Sequence, residues 1–368
     1  MSADATTARD RSNSPAAFFE LDREALLAWC TERGLPRHAA EQIQRWVFER
    51  GVVDPERMTD LSKAARAMLA REMVFLQGVV RAHQLATDET QKLLVAWPPP
   101  SALPTIDPNE RRTECVMIPS EDRRTACLSS QVGCPVGCRF CASGLGGLEG
   151  NLSAGRILEQ VWHLSRLPGV ERISHVVFMG MGEPLANLNA VTSAIRTLNA
   201  PWGFGISARR ITVSTVGLPA AIRKLCEFEI PVTLALSLHA PLDDLRREII
   251  PWAEYATIDE ILDAAQEWFD KTGREITLEY ILLGGVNDRP IHAQELARLA
   301  RTMRANVNLI RYNEVAGLPY LRPRDEDVLR FQEILREKGV NTHIRRSRGR
   351  DIAAACGQLR HEAKAKLG

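Results

Sequence analysis

Cys134, Cys138 and Cys141 form a CxxxCxxC run, with Pro135, Val136, Gly137, Arg139 and Phe140 between them. Three thiolates are one short of the four that close a structural zinc site or fully ligate an iron–sulfur cluster. A cluster held by three cysteines keeps one iron free for another ligand, whereas a zinc knuckle would borrow a fourth donor such as Cys127. Five of the eight cysteines fall between Cys115 and Cys141, the other three being Cys30, Cys226 and Cys356. In a long chain without secretory features this clustering points to thiolate or metal chemistry and away from a disulfide framework. Cys356 follows the basic run RRSRGRD, which reads as an exposed, electropositive loop that favours a reactive thiolate. Cys30, Cys115 and Cys226 match nothing reactive and read as packing residues.

The elements that must position these thiols follow from hydrophobic periodicity. From Thr125 onward the short apolar runs TACLSS, ISHVVFMG, RRITVST, PVTLALSLH, ITLEYILL and VNLIRYN are each followed by an amphipathic helical stretch. Six strand–helix units in succession imply a parallel sheet with right-handed crossovers. Six units instead of eight suggest an α/β fold of the incomplete (β/α)6 barrel type, open on one side, with a doubly wound sheet as the alternative. NTHIRRS is a candidate further strand at one edge. In either architecture functional groups belong at the C-terminal ends of the strands. The CxxxCxxC run follows the first strand, and Gly182 and Glu183 end the second. Ser214, the triplet Ser237, Leu238 and His239, and Asn313 end the third, fourth and sixth, so all converge on one mouth.

The rest of the chain divides by pattern. Residues 1–17 are polar and read as a disordered tail. Residues 18–76 carry apolar residues at helical spacing (Leu26, Leu27, Trp29; Ala40, Ile43, Trp46, Val47; Leu61, Ala64, Met68, Leu69), giving about three helices. This module is either a nucleic-acid accessory domain or a packing unit. Residues 77–120 alternate and read as a β-hairpin linker with a long turn, WPPPSALPTIDPNERR. The barrel with its C-terminal cysteine loop occupies residues 121–362, and residues 363–368 form a tail. With 45% apolar and 25% charged residues among 368, the composition is that of a globular protein and excludes wholesale disorder. No run approaches the roughly 18 apolar residues of a membrane span, and the N-terminus lacks a signal-peptide core, so a cytoplasmic location is expected. Net charge is +1, but residues 341–368 carry +5, concentrating positive charge near Cys356.

The CxxxCxxC spacing resembles that of the radical S-adenosylmethionine (SAM) enzymes. Four longer segments, GFGISARRITVSTVG, SLHAPLDDLRREIIP, GGVNDRPIHAQELA and RRSRGRDIAAACGQL, resemble the RlmN and Cfr family of radical SAM RNA methyltransferases, over residues 18 to about 362. The resemblance implies one [4Fe-4S] cluster on Cys134, Cys138 and Cys141, with SAM chelated at the open iron as methyl donor and radical source. It implies a SAM site formed by Gly182, Glu183, Ser214, Ser237, Leu238, His239 and Asn313. It further implies that Cys356 carries a methyl group, that the derived radical adds to an adenine carbon, and that Cys127 releases the RNA adduct by forming a disulfide with Cys356. Glu114 would be the proton acceptor. The basic cluster from Arg345 to Arg350 would attract phosphates and present an unpaired adenosine.

By the same resemblance the substrate is adenosine in 23S ribosomal RNA, transfer RNA or both, methylated at carbon 2. Carbon 8, as in the Cfr branch, is the alternative, and a radical SAM enzyme acting on a non-RNA substrate is a further one. A third class, a zinc-dependent nucleic-acid binding module, would lack catalysis. A low-potential electron donor such as a flavodoxin or ferredoxin, no membrane, and a monomer are expected. The chain departs from the family at Gly150, where arginine is usual, at Leu242 and the segment PWAEY, at Glu314, and in the long hairpin loop.

Overall fold

The computed structural model describes residues 15–97 and 110–359. Residues 1–14, most of the WPPPSALPTIDPNERR turn and the 363–368 tail lie outside them. The polar composition of residues 1–17 places Ala16 and Ala17 in a tail. They instead form a short strand, β1 (Ala16–Ala17), parallel to β2 (Met73–Val74), because Phe18 and Phe19 immediately after it are buried and anchor it.

Between these strands lie α1 (Arg23–Glu32), α2 (His38–Gln44), which runs on through a π-turn, and α3 (Lys63–Glu72). Asp22 and Ser62 cap α1 and α3, accepting from the Ala25 and Ala65 amides at 2.8 and 3.1 Å. The apolar stripe is as expected except that Ala64 faces solvent and Ala65 takes the core position. This module shares its core with the barrel: the Phe48 ring meets Phe204 at 5.1 Å and Trp202 at 6.1 Å.

The next strands are β3 (Val79–Leu85), β4 (Gln91–Trp97), β5 (Arg111–Ser120) and β6 (Arg123–Cys127), each antiparallel to the one before. Residues 77–120 are therefore more than a linker hairpin: they extend the main sheet. A small hairpin of β7 (Gln131–Gly133) and β8 (Leu148–Asn151) then encloses the CxxxCxxC loop. Gly133 closes it, with φ +74 and the Gly147 carbonyl 2.0 Å from where a Cβ would stand, so no side chain fits.

The barrel continues as α4 (Ala154–Leu164), β9 (His175–Phe178), α5 (Leu188–Asn199), β10 (Ile211–Thr215), α6 (Pro219–Cys226) and β11 (Thr233–Ser237). It ends with α7 (Asp243–Ile249), α8 (Ile258–Thr272), β12 (Ile276–Leu282), α9 (Pro290–Ala300), β13 (Ala305–Arg311), α10 (Asp325–Glu337) and β14 (Thr342–Arg345). Strands β6, β9, β10, β11, β12, β13 and β14 are parallel neighbours in that order. They are the six expected units plus the NTHIRRS edge strand, and β5, β4 and β3 complete a ten-stranded sheet. β3 is exposed along its whole length, as an edge strand must be, whereas β4 is covered on both faces.

Candidate active site

The loops at the C-terminal strand ends enclose a cavity of about 150 Å3. Cys134, Cys138 and Cys141 line it together with Gly182, Glu183, Ser214, Ser237, His239 and Cys356. Leu238 does not line the cavity: its side chain is in the core, and its carbonyl accepts from Arg246 Nε at 3.0 Å. Asn313 lines a second cavity.

Burial raises all three thiols of the run, Cys134 to about 12. Opposing that, Cys134 is hydrogen-bonded to the Val136 and Gly182 backbone, Cys141 to Ser143 and Gly144, and the Arg246 guanidinium pulls Cys138 down. Donors that stabilise sulfur charge are thus already in place around the run. Among the described residues no three Cys, His, Asp or Glu side chains converge as ligands of one metal ion. A cluster takes its three thiolates on three separate irons, and three thiols lining one cavity with these donors around them fit that arrangement.

Glu183 is organised from both sides. Its Oε2 accepts from the Val216 amide at 2.8 Å and its Oε1 from Leu185 at 3.0 Å, while its own amide donates to Gln131 Oε1 at 2.8 Å. Burial raises its carboxyl to about 7 against these bonds. Gly182 has φ +102, and a Cβ there would lie 2.6 Å from that of Gln131. The Ser214 and Ser237 hydroxyls are 3.1 Å apart. His239 Nδ1 accepts from the Ile281 amide at 3.1 Å, so its proton is on Nε2, and burial together with Arg246 lowers the ring to about 3. It is a neutral ring lining the cavity.

A second cavity lies behind Cys356. Cys127 and Asn313 line it together with Arg345, Arg346 and Arg348, and Cys356 and Arg345 border both cavities. Arg345 is held by Glu279 Oε2 at 3.4 Å, Glu279 being fixed in turn by Asn308 at 3.0 Å. Burial pushes the Cys127 thiol up to about 12, with the Arg345 charge opposing. All eight cysteines are free, so the expected Cys127–Cys356 disulfide is not formed in this state. Glu114 is on β5 but in neither cavity: it faces a third one, on the other side of the Cys356 loop, where it pairs with Lys92 at 2.8 Å.

Motif and spacing do not single out Lys92, Arg246 and Glu279. Each is a charged residue within an apolar pattern: Lys92 in QKLLVAW, Arg246 one turn before Ile249 and Ile250, Glu279 in ITLEYILL. A charge buried at such a position needs a partner, and that is the signal the sequence carries for them.

The open parallel sheet with a three-thiol loop after its first strand defines a radical SAM enzyme. Residues 128–297 match the family model of the radical SAM superfamily, and residues 17–75 match that of the ribosomal RNA large subunit methyltransferase N-terminal domain. The chain is 46% identical to a probable dual-specificity RNA methyltransferase RlmN of Rhodopirellula baltica, covering 92% of this chain and 88% of that protein. It is 43% identical to the protein of the same name in Gloeobacter violaceus, covering 92% and 94%. A crystal structure of a radical SAM methyltransferase from Sphaerobacter thermophilus superposes with a TM-score of 0.88 at 40% identity, covering 94% and 99%. The chain belongs to the RlmN family of radical SAM RNA methyltransferases. The cofactors of that chemistry are a [4Fe-4S] cluster and SAM. No helix among the described residues is long and apolar enough to cross a membrane.

Proposed function

We propose that the chain methylates carbon 2 of an adenosine in 23S ribosomal RNA and transfer RNA through a methyl group carried on Cys356. The observation that carries this reading is that Cys356 borders both cavities, the one with the three cluster thiols and the one with Cys127 and the arginines. Cys134, Cys138 and Cys141 would hold the cluster. Gly182, Glu183, Ser214, Ser237 and His239 would hold SAM, with Leu238 acting through its backbone and Asn313 from the neighbouring cavity. A cluster and SAM, when bound, supply a 5′-deoxyadenosyl radical to this cavity.

The chain's own residues do the rest. Arg346 and Arg348 attract the phosphates of an unpaired nucleotide toward Cys356. The carbon carried on the sulfur of Cys356 bonds to the adenine carbon, whose hydrogen leaves as a proton accepted by Glu114, while the odd electron would pass back to the cluster when bound. The Cys127 thiolate attacks the sulfur of Cys356, a disulfide forms, and the carbon leaves with the bonding pair and takes a proton to become the methyl group. An external thiol then restores both cysteines. A monomer served by a flavodoxin or ferredoxin as electron donor would suffice.

The test is anaerobic reconstitution followed by incubation with SAM, a reductant and total RNA, with nucleoside mass spectrometry as readout. 2-Methyladenosine is expected, 8-methyladenosine would move the reaction to the alternative carbon, and no methyladenosine would overturn the reading. Cys356→Ala should abolish product, and Cys127→Ala should trap a covalent protein–RNA adduct.

A further inference from the structure

Lys92, Val116, Cys127 and Val177 form one cross-strand row over β4, β5, β6 and β9. Residues directly opposite each other share a face of the sheet, so the Lys92 side chain rises on the same face as Cys127. There its ammonium is buried and makes two contacts, with Glu114 Oε1 at 2.8 Å and with the Ala353 carbonyl at 3.1 Å. Ala353 is three residues before Cys356 and has a left-handed backbone, φ +49, that alanine rarely adopts without outside support.

Further ties fasten the same loop to the turn between β3 and β4. The Thr87 amide donates to Asp351 Oδ2 at 2.9 Å, and the Gly349 amide donates to Asp88 Oδ2 at 3.1 Å. Lys92 differs from these ties in touching both the loop and the Glu114 carboxylate. A buried ammonium chosen only for stability would be a poor choice, since an apolar pair of similar volume serves as well or better. Its compact charge with several donors suits a different task, namely holding two acceptors from separate elements at one point.

We infer that Lys92 is a positioning residue: it keeps the carboxylate of Glu114 and the loop that carries Cys356 in register with each other. This rests on the roles given above to Cys356 and Glu114. Lys92 contacts neither the cluster cavity nor the SAM residues, so its loss should spare SAM cleavage and impair the steps after RNA attachment.

The test compares Lys92→Met, Lys92→Arg and Glu114→Gln in the reconstituted full chain. In Lys92→Met, 5′-deoxyadenosine formation is expected within about threefold of wild type, methyladenosine reduced roughly 10- to 100-fold, and a covalent protein–RNA adduct retained on denaturing gels. Amide exchange over residues 346–359, measured without RNA, is expected to rise about fivefold or more, and Lys92→Arg to restore part of both. Methylation and loop exchange both unchanged in Lys92→Met would overturn the inference. So would equal loss of 5′-deoxyadenosine and methyladenosine, the pattern of a merely structural residue. Wild-type methylation by Glu114→Gln would remove the proton-acceptor role alone, and the Lys92→Met adduct and exchange would still decide whether the loop is held.

Discussion

Charged residues inside apolar surroundings carry much of the organisation of this site. Arg246 is fully buried and donates to the carbonyls of Leu238 and Val216, the backbone beside His239 and Thr215. Arg246→Met would leave those carbonyls without the donor and Cys138 without its facing charge. We expect a loss of about 2–4 kcal/mol, read from the urea midpoint, together with less iron per chain after reconstitution. Unchanged stability and iron content would mean that the guanidinium is dispensable. Gly150 illustrates what residue types alone do not reveal. Where the family carries arginine this chain has none, yet Arg111 Nη1 comes within 3.1 Å of the place a Cβ at Gly150 would take. A guanidinium thus reaches that spot from β5, a relation no local motif displays. By contrast, that the three thiols, Gly182, Glu183, Ser214, Ser237 and His239 line one cavity is legible, because their order along the chain is that of successive strand ends.

Among the elements, α4 joins the cysteine loop to the rest of the sheet. Ser153 caps it and Glu20 reaches over from the N-terminal module to accept from the Gly155 amide at 3.2 Å. One face holds Glu159, whose Oε2 accepts from the Gln77 and Gly78 amides at 2.9 and 2.8 Å, where the chain leaves the module. Burial raises Glu159 from 4.5 to about 7, so between those values the folded chain keeps a proton that the unfolded chain has released. Stability from this group is therefore greatest below pH 4.5 and falls as pH rises through 7. Glu159→Gln should remove that slope. Relative to wild type, the variant should gain about 1–3 kcal/mol between roughly pH 5 and pH 8, measured by chemical denaturation. A parallel pH dependence in the two proteins would refute it. His163, one turn further on, is lowered by burial to about 4 and acts with the opposite sign, but it is common to both proteins and cancels. The helices and parallel strands could be read from periodicity. The placement of β3 to β5 could not, since alternation shows that a strand has two faces but not which sheet it joins.

At the scale of the whole molecule, the N-terminal helices and the barrel share one apolar core running from Phe18 to Val340. Phe48 is the joint, touching Phe18 and Phe19 on one side and Trp202 and Phe204 on the other. Phe48→Ala should therefore speed amide exchange in α4 and α5 as well as in α1 to α3. Acceleration confined to α1–α3 would show that the two parts are energetically separate. The periodicity of residues 18–76 shows apolar helical faces but not what they cover, and the shared core shows that they pack against the barrel.

The loop bearing Cys356 is pinned across the three-thiol run: the Ala142 amide donates to the Gly357 carbonyl at 2.8 Å, and the Ser143 hydroxyl to that of Leu359 at 2.7 Å. Synthesis proceeds from the N-terminus, so about 200 residues separate the emergence of the three thiols from that of the cover, roughly 10–40 s of translation. During that interval the three thiols lack this cover: the residues that build the cradle are all made before those that close over it.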